Sequence, residues 1–114
     1  MNGVAARLVE DGAGLEQLES VFKALASTRR LQILEWLKHP TEHFPAQEHG
    51  DPEAHGACNQ FIVEKLGVSQ PAGSRHLKVL VDAGLIIATP RKGWTYYRRN
   101  EEALRSVATV FETI

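Results

Sequence analysis

Cysteine occurs once in the 114 residues, and methionine once. A single thiol cannot close an intramolecular disulfide, so the expected compartment is a reducing cytoplasm. No apolar run approaches the roughly 18 residues needed to span a bilayer, and the N-terminal MNGVAARLVEDGAG lacks the apolar stretch of a signal peptide. Internal repeats are absent. No nucleophile stands at usable spacing from a base, since Ser74 and His76 are merely neighbours on one helical stretch; this argues against an enzyme. Lysine and arginine are missing altogether between His39 and Cys58, where four acids (Glu42, Glu48, Asp51, Glu53) accumulate. The bases gather further on. Between Glu64 and Arg99 stand Lys65, Arg75, Lys78, Arg91, Lys92, Arg98 and Arg99 against only Glu64 and Asp82. The overall charge of −1 therefore hides a local positive block.

The length fits one domain, and 43% hydrophobic residues suffice for an ordinary core. Residues 1–14 read as a flexible arm, and residues 15–114 as the folded domain. Leu15, Leu18, Phe22 and Leu25 recur at helical spacing. Ser27 restarts a helix as N-cap, with Leu31, Leu34 and Leu37 along its face until Pro40 stops it. Residues 39–57 show no periodicity and form an inserted loop rich in Pro, Gly and His. CNQFIVEKL is a short helix ended by Gly67. Ser69 then caps another, with Pro71 tolerated in its first turn and Gly84 at its end. LIIATPRKGWTYYRR reads as two strands joined at PRKG. Asn100 caps a last helix bearing Glu101 and Glu102 in its first turn and Leu104, Val107 and Phe111 on its face. The fold class is mainly α with a β-hairpin, in the order α-α-loop-α-α-β-β-α.

Two short helices joined by a tight Gly-containing turn form a helix-turn-helix, and a basic hairpin directly after it makes a winged helix. Within SQPAGSRHLKVLVDAG, Gly73, Leu77, Leu80 and Gly84 share one stripe. Gln70, Ser74, Arg75 and Lys78 share another, which suits a DNA major groove. Arginine pairs bidentately with guanine and glutamine with adenine. Ser69 and the free N–H groups at the helix start suit a phosphate, and His76 fits packing or phosphate contact. Arg91, Lys92 and Arg98 on the wing would supply phosphate or minor-groove contacts, which carry affinity more than sequence information.

ALASTRRLQILEWL, EKLGVSQPAGSRHLKVLVDAGLI and PRKGWTYYRRN together resemble the ArsR/SmtB family of bacterial winged-helix repressors, from about Leu15 to the C-terminus apart from the loop. The resemblance implies a homodimer built by the first and last helices, bound to an inverted-repeat operator on double-stranded DNA and often released by a metal effector. Leu15, Leu18, Phe22, Leu104, Val107 and Phe111 offer more apolar surface than one small domain needs and are expected to be shared between core and dimer interface. The same fold also serves as a protein-interaction module without operator binding. The basic reading face favours DNA, and a DNA shift assay separates the two.

The departures are informative. Family members sensing arsenic or cadmium often carry Cys-x-Cys before the turn; here Cys58 holds the first position and Gln60 the second, and one thiolate cannot build that soft site. Zinc sensors use ligands that include histidine on the final helix, where this chain has none. Gly73 replaces a bulkier residue at a cost of about 1 kcal/mol to the helix; it permits close approach either to DNA or to the preceding helix. Four of the five histidines lie in the loop. Either the loop is simply polar, or, if the chain takes a metal, its ligands come from His39, His43, His49, His55 and Cys58. Nitrogen and oxygen donors would favour Ni(II) or Zn(II).

Overall fold

The computed structural model describes residues 12–47 and 51–113. Of the arm expected over residues 1–14, positions 1–11 lie outside the described residues, and the first helix already begins at Gly12. The elements run α1 (Gly12–Leu25), α2 (Thr28–Lys38), α3 (Pro40–His43), α4 (Pro52–His55), β1 (Ala57–Cys58), α5 (Asn59–Leu66), α6 (Gln70–Asp82), β2 (Ile86–Arg91), β3 (Trp94–Arg99) and α7 (Glu101–Thr113).

The helix boundaries follow local chemistry. Ser27 sits in extended conformation, and its Oγ accepts from the Arg30 N–H at 3.3 Å. Gly67 adopts the left-handed conformation (φ 71°) that closes α5. Ser69 Oγ accepts from the Ala72 N–H, and Asn100 Oδ1 accepts from the Ala103 N–H at 3.1 Å. Asn100 also donates from Nδ2 to the Gly84 carbonyl, which ties the start of α7 to the end of the α6 turn.

The inserted stretch is more ordered than its lack of periodicity suggests. It holds two single-turn helices, α3 opened by Pro40 and α4 opened by Pro52, and it ends in β1. Cys58 therefore belongs to a strand and only N-caps α5, rather than starting that helix. The sheet order is β1-β3-β2, all antiparallel, with Cys58 opposite Tyr96 and Ala57 opposite Tyr97. Gln47 holds the insert to this edge: its Oε1 accepts from the Cys58 N–H at 2.8 Å, and its Nε2 donates to the Gly56 carbonyl at 3.2 Å. Gly56 has φ 85°, and a Cβ there would overlap the Tyr97 carbonyl, so only glycine lets the strand approach.

The core runs through every helix longer than one turn except α1's outer face. Ile33, Ile62, Leu77, Leu80 and Leu85 are fully enclosed and, with Val107, knit α2, α5, α6, the start of the hairpin and α7 together. The apolar stripe of α6 is buried as its spacing predicts, at Gly73, Leu77 and Leu80.

Candidate nucleic-acid interface

Because the inner stripe of α6 is used up in the core, its opposite face is left to solvent. Ser69, Gln70, Ser74, Arg75 and Lys78 are all exposed there. Their engagements are weak. Gln70 Nε2 lies 3.4 Å from Ser74 Oγ, and Lys78 pairs with Asp82 at 2.9 Å with both side chains largely in water. Such a pair contributes about 0.3–0.5 kcal/mol and is easily exchanged for another anion. The Arg75 guanidinium makes no ion pair among the described residues. A flexible cation with five N–H donors, held on a rigid helix and paired to nothing, is suited to reach a base edge or phosphate.

The helix is seated closely. A Cβ on Gly73 would stand 2.5 Å from Val63 Cγ2 and 2.9 Å from Cγ1, so the glycine serves the approach of α6 to α5. Of the two uses open from the sequence, packing on the preceding helix is thus the one for which the structure supplies contacts.

Two residues that composition and periodicity did not single out brace this unit. Arg29 Nη1 donates to the Leu66 carbonyl at 3.3 Å, at the C-terminal end of α5. Arg30 donates from Nε to the Ala24 carbonyl (2.6 Å), from Nη2 to the Lys23 carbonyl (3.2 Å), and from Nη1 to His76 Nδ1 (3.1 Å). One side chain thereby joins the end of α1 to α6. A signal existed: two arginines in the first turn of α2 oppose its dipole, which favours anions there, so something outside the helix must hold them. Arginine only donates, so His76 Nδ1 accepts and its Nε2 carries the proton. Partial burial, then the charges of Arg30, Arg29 and Arg75, push the His76 pKa below its ordinary 6.5.

The wing turns at Lys92 (φ 54°) and Gly93 (φ 82°), with Arg91 opposite Trp94. Two successive positive φ values define the two-residue turn that matches strand twist, so the turn is confined to Lys92-Gly93 while Pro90 and Arg91 still belong to β2. Arg91 and Lys92 are exposed at this tip. Arg98 is not with them. Four residues along β3, about 13 Å from Trp94 at strand rise, it lines a cleft with Lys38, His39 and Thr41. Arg99, beside it, is locked to Glu101 at 2.7 and 3.1 Å and to the Leu34 carbonyl.

The described histidines of the insert, His39, His43 and His55, do not converge. Among the described residues no three His, Cys, Asp or Glu side chains stand close enough to hold a metal ion. His39 links α2 to α3, and His55 Nδ1 accepts from the Asp51 N–H at 3.0 Å. Cys58 is buried with Sγ 3.5 Å from Asn59 Oδ1, and His49 lies outside the described residues.

The six apolar residues of the first and last helices divide. Leu18 and Val107 are buried within the chain, and Phe22 and Leu104 are half-buried. Leu15 and Phe111 remain 54% and 65% exposed, although Phe111 stacks on Phe22 at 5.6 Å. Both are large apolar side chains that this chain leaves in water.

Comparison with known proteins agrees with this geometry. Residues 57–88, from β1 into the first strand of the wing, match the family model described as "Bacterial regulatory protein, arsR family". The HTH-type transcriptional regulator YbzH of Bacillus subtilis is 43% identical over 99 residues, covering 87% of this chain and 98% of that one. The arsenical resistance operon repressor of the same organism is 31% identical over 93 residues, covering 82% and 75%. Among solved structures, the homodimeric winged helix-turn-helix DNA-binding domain of Mb0332 from Mycobacterium bovis superposes with TM-score 0.63 at 29% identity, covering 90% and 82%.

Proposed function

The chain belongs to the ArsR family of bacterial regulatory proteins, a transcriptional regulator with a winged helix-turn-helix fold, and on that premise we propose that it binds an inverted-repeat operator as a homodimer and represses the genes behind it. The observation that carries this is the unpaired Arg75 beside Gln70 and Ser74 on the outer face of α6, with Arg91 and Lys92 at the wing tip on a hairpin that follows the same helix. Arg75 reads a guanine, Gln70 an adenine or its neighbour, and Ser69 with the open N–H groups of the first turn fixes a phosphate. His76 supports the helix from behind through Arg30 and offers its Nε2–H. Arg91 and Lys92 add sequence-independent attraction. Arg98 contributes less than the wing tip, because it sits at the strand's far end.

The exposed Leu15 and Phe111, backed by Phe22 and Leu104, are the centre of the dimer contact. A two-fold axis there sets two recognition helices on half-sites about one turn, or 10 base pairs, apart. The homodimeric relative supports the assembly, and the repressor named among the relatives supports the direction of control. Such a protein works in the cytoplasm, with the DNA. The described residues do not fit a metal: the insert's histidines are dispersed, Cys58 is a lone buried thiol, and α7 carries no histidine. No Ni(II) or Zn(II) response is therefore assigned.

Footprinting on the DNA upstream of the protein's own gene tests the proposal. A protected inverted repeat is the expected result. Binding that ignores sequence, or no binding at all, would overturn it in favour of a protein-interaction module.

A further inference from the structure

The register of the sheet brings Cys58, Tyr96 and Trp94 to one face. Cys58 is opposite Tyr96, and Trp94 is two residues along β3 on the same side of the pleat. Phe61 of α5 and Ala46 of the insert close over them around an open cavity of about 200 Å³. Trp94 stands at its edge with 43% of its surface in water, at the foot of the wing turn. Among the described residues, no charged side chain lines the cavity. Both polar atoms of Gln47 bond the backbone of β1 and Gly56, and Gln60, exposed at the rim, donates from Nε2 to Glu64 Oε1 at 3.2 Å.

We infer that this cavity is a ligand site for a neutral, apolar molecule of one or two rings, and that its occupancy regulates DNA binding. The volume sets the size. A cavity of about 150 Å³ takes benzene, whereas sites for drug-sized ligands begin near 300 Å³. The lining sets the chemistry, because three aromatic rings beside a Gln47 amide bonded at both ends would solvate a flat apolar body and strand a charge. The position sets the consequence. Phe61 lies two residues before Val63, the side chain on which Gly73 of the recognition helix rests, and Trp94 directly follows the wing turn. A ligand between Phe61 and Trp94 therefore touches α5, the helix against which α6 packs, and the foot of the wing, and reaches α6 only through α5. The insert supplies one wall, which gives the 39–57 segment a use that needs no metal. Only the regulatory half of the inference rests on the proposed operator binding; the ligand site does not.

The test uses 4-nitroanisole, a neutral one-ring quencher of indole fluorescence, with 4-nitrobenzoate as its charged counterpart. In Trp36→Phe protein, Trp94 is the sole tryptophan. Saturable quenching by 4-nitroanisole is expected with Kd on the order of 0.1–1 mM, the range open to about eleven heavy atoms. It should vanish in Ala46→Phe, whose ring fills the cavity from an exposed position, while 4-nitrobenzoate should quench only linearly. In unmutated protein the neutral probe should also slow alkylation of Cys58 by N-ethylmaleimide. Linear quenching by both probes, or equal saturation in Ala46→Phe, overturns the site. So does Trp94 emission that shifts with protein concentration alone, since the occupant would then be a second copy. Saturable binding that leaves affinity for the footprinted DNA unchanged overturns the regulatory half only.

Discussion

Replacing Gly73 by alanine sets two known effects against each other. Alanine should favour the helix by about 1 kcal/mol over glycine. The added Cβ, however, falls 2.5 and 2.9 Å from the two γ-carbons of Val63, where carbon atoms rest at about 3.5–4.0 Å. Val63 is buried on α5 and, being β-branched, has one comfortable χ1 in a helix, so it cannot rotate clear. Relief requires α6 to back away from α5 by nearly an ångström along a packed seam. Overpacking of this kind costs about 1–3 kcal/mol. Because both γ-carbons are met, the cost should fall in the upper part of that range, leaving a net loss of about 1–2 kcal/mol. Urea unfolding at fixed protein concentration, held constant because a dimer's stability depends on it, gives the number. A double-mutant cycle identifies the cause. Val63→Ala alone should destabilise by leaving a cavity, but in the Gly73→Ala background it should cost at least about 1 kcal/mol less. If Gly73→Ala stabilises the protein, or the two changes simply add, the close seating of α6 on Val63 is not what selects glycine.

Three other outcomes are expected. His76 is held with a lowered pKa, so the folded state resists its protonation; its contribution is complete above the ordinary value of 6.5 and is lost as pH falls from there toward the folded value. Unfolding midpoints between pH 7.5 and 5.5 should accordingly fall less steeply in His76→Gln than in the unmutated protein, and parallel curves would refute the lowered pKa of His76. Leu15→Glu with Phe111→Glu should convert a micromolar dimer to a folded monomer in sedimentation, since both side chains are already in water in the single chain; a persistent dimer would place the contact elsewhere. Calorimetric titration with Ni(II) or Zn(II) should give the same weak response before and after His39, His43, His49 and His55 are changed to alanine, whereas tight binding lost in the variant would show that the insert rearranges into a metal site.

What could be read from the chain alone was whatever is encoded within a few residues. Ser27, Ser69 and Asn100 cap because their side chains reach an N–H three residues on, and Gly67 ends α5 because it tolerates positive φ. The buried stripe of α6 was visible in its spacing. β1 was not: it has two residues, and its partner lies 38–40 positions downstream, so no local period marks it. The single turns α3 and α4 are too short for periodicity to register. Counting from the PRKG turn puts Arg98 at the far end of β3, but not beside Lys38, His39 and Thr41, which only the folded chain brings there. Helical spacing likewise groups Leu15 with Leu18, and Phe111 with Val107, without telling which member is enclosed by its own chain. Arg30 was missed because its partners at residues 23, 24 and 76 meet only after α1, α2 and α6 have packed.

The central claim, that the outer face of α6 reads base sequence while the wing tip supplies charge, is tested most directly by measuring operator and mutant-operator affinities across salt concentration for Arg75→Ala and Lys92→Asn. Asparagine is chosen because it tolerates the positive φ at position 92. Arg75→Ala should lose about 1–3 kcal/mol on the operator and all discrimination at one base pair of each half-site; Lys92→Asn should weaken every DNA alike and make the logarithmic salt slope shallower by about one. Full operator affinity and unchanged base preference in Arg75→Ala would contradict the claim.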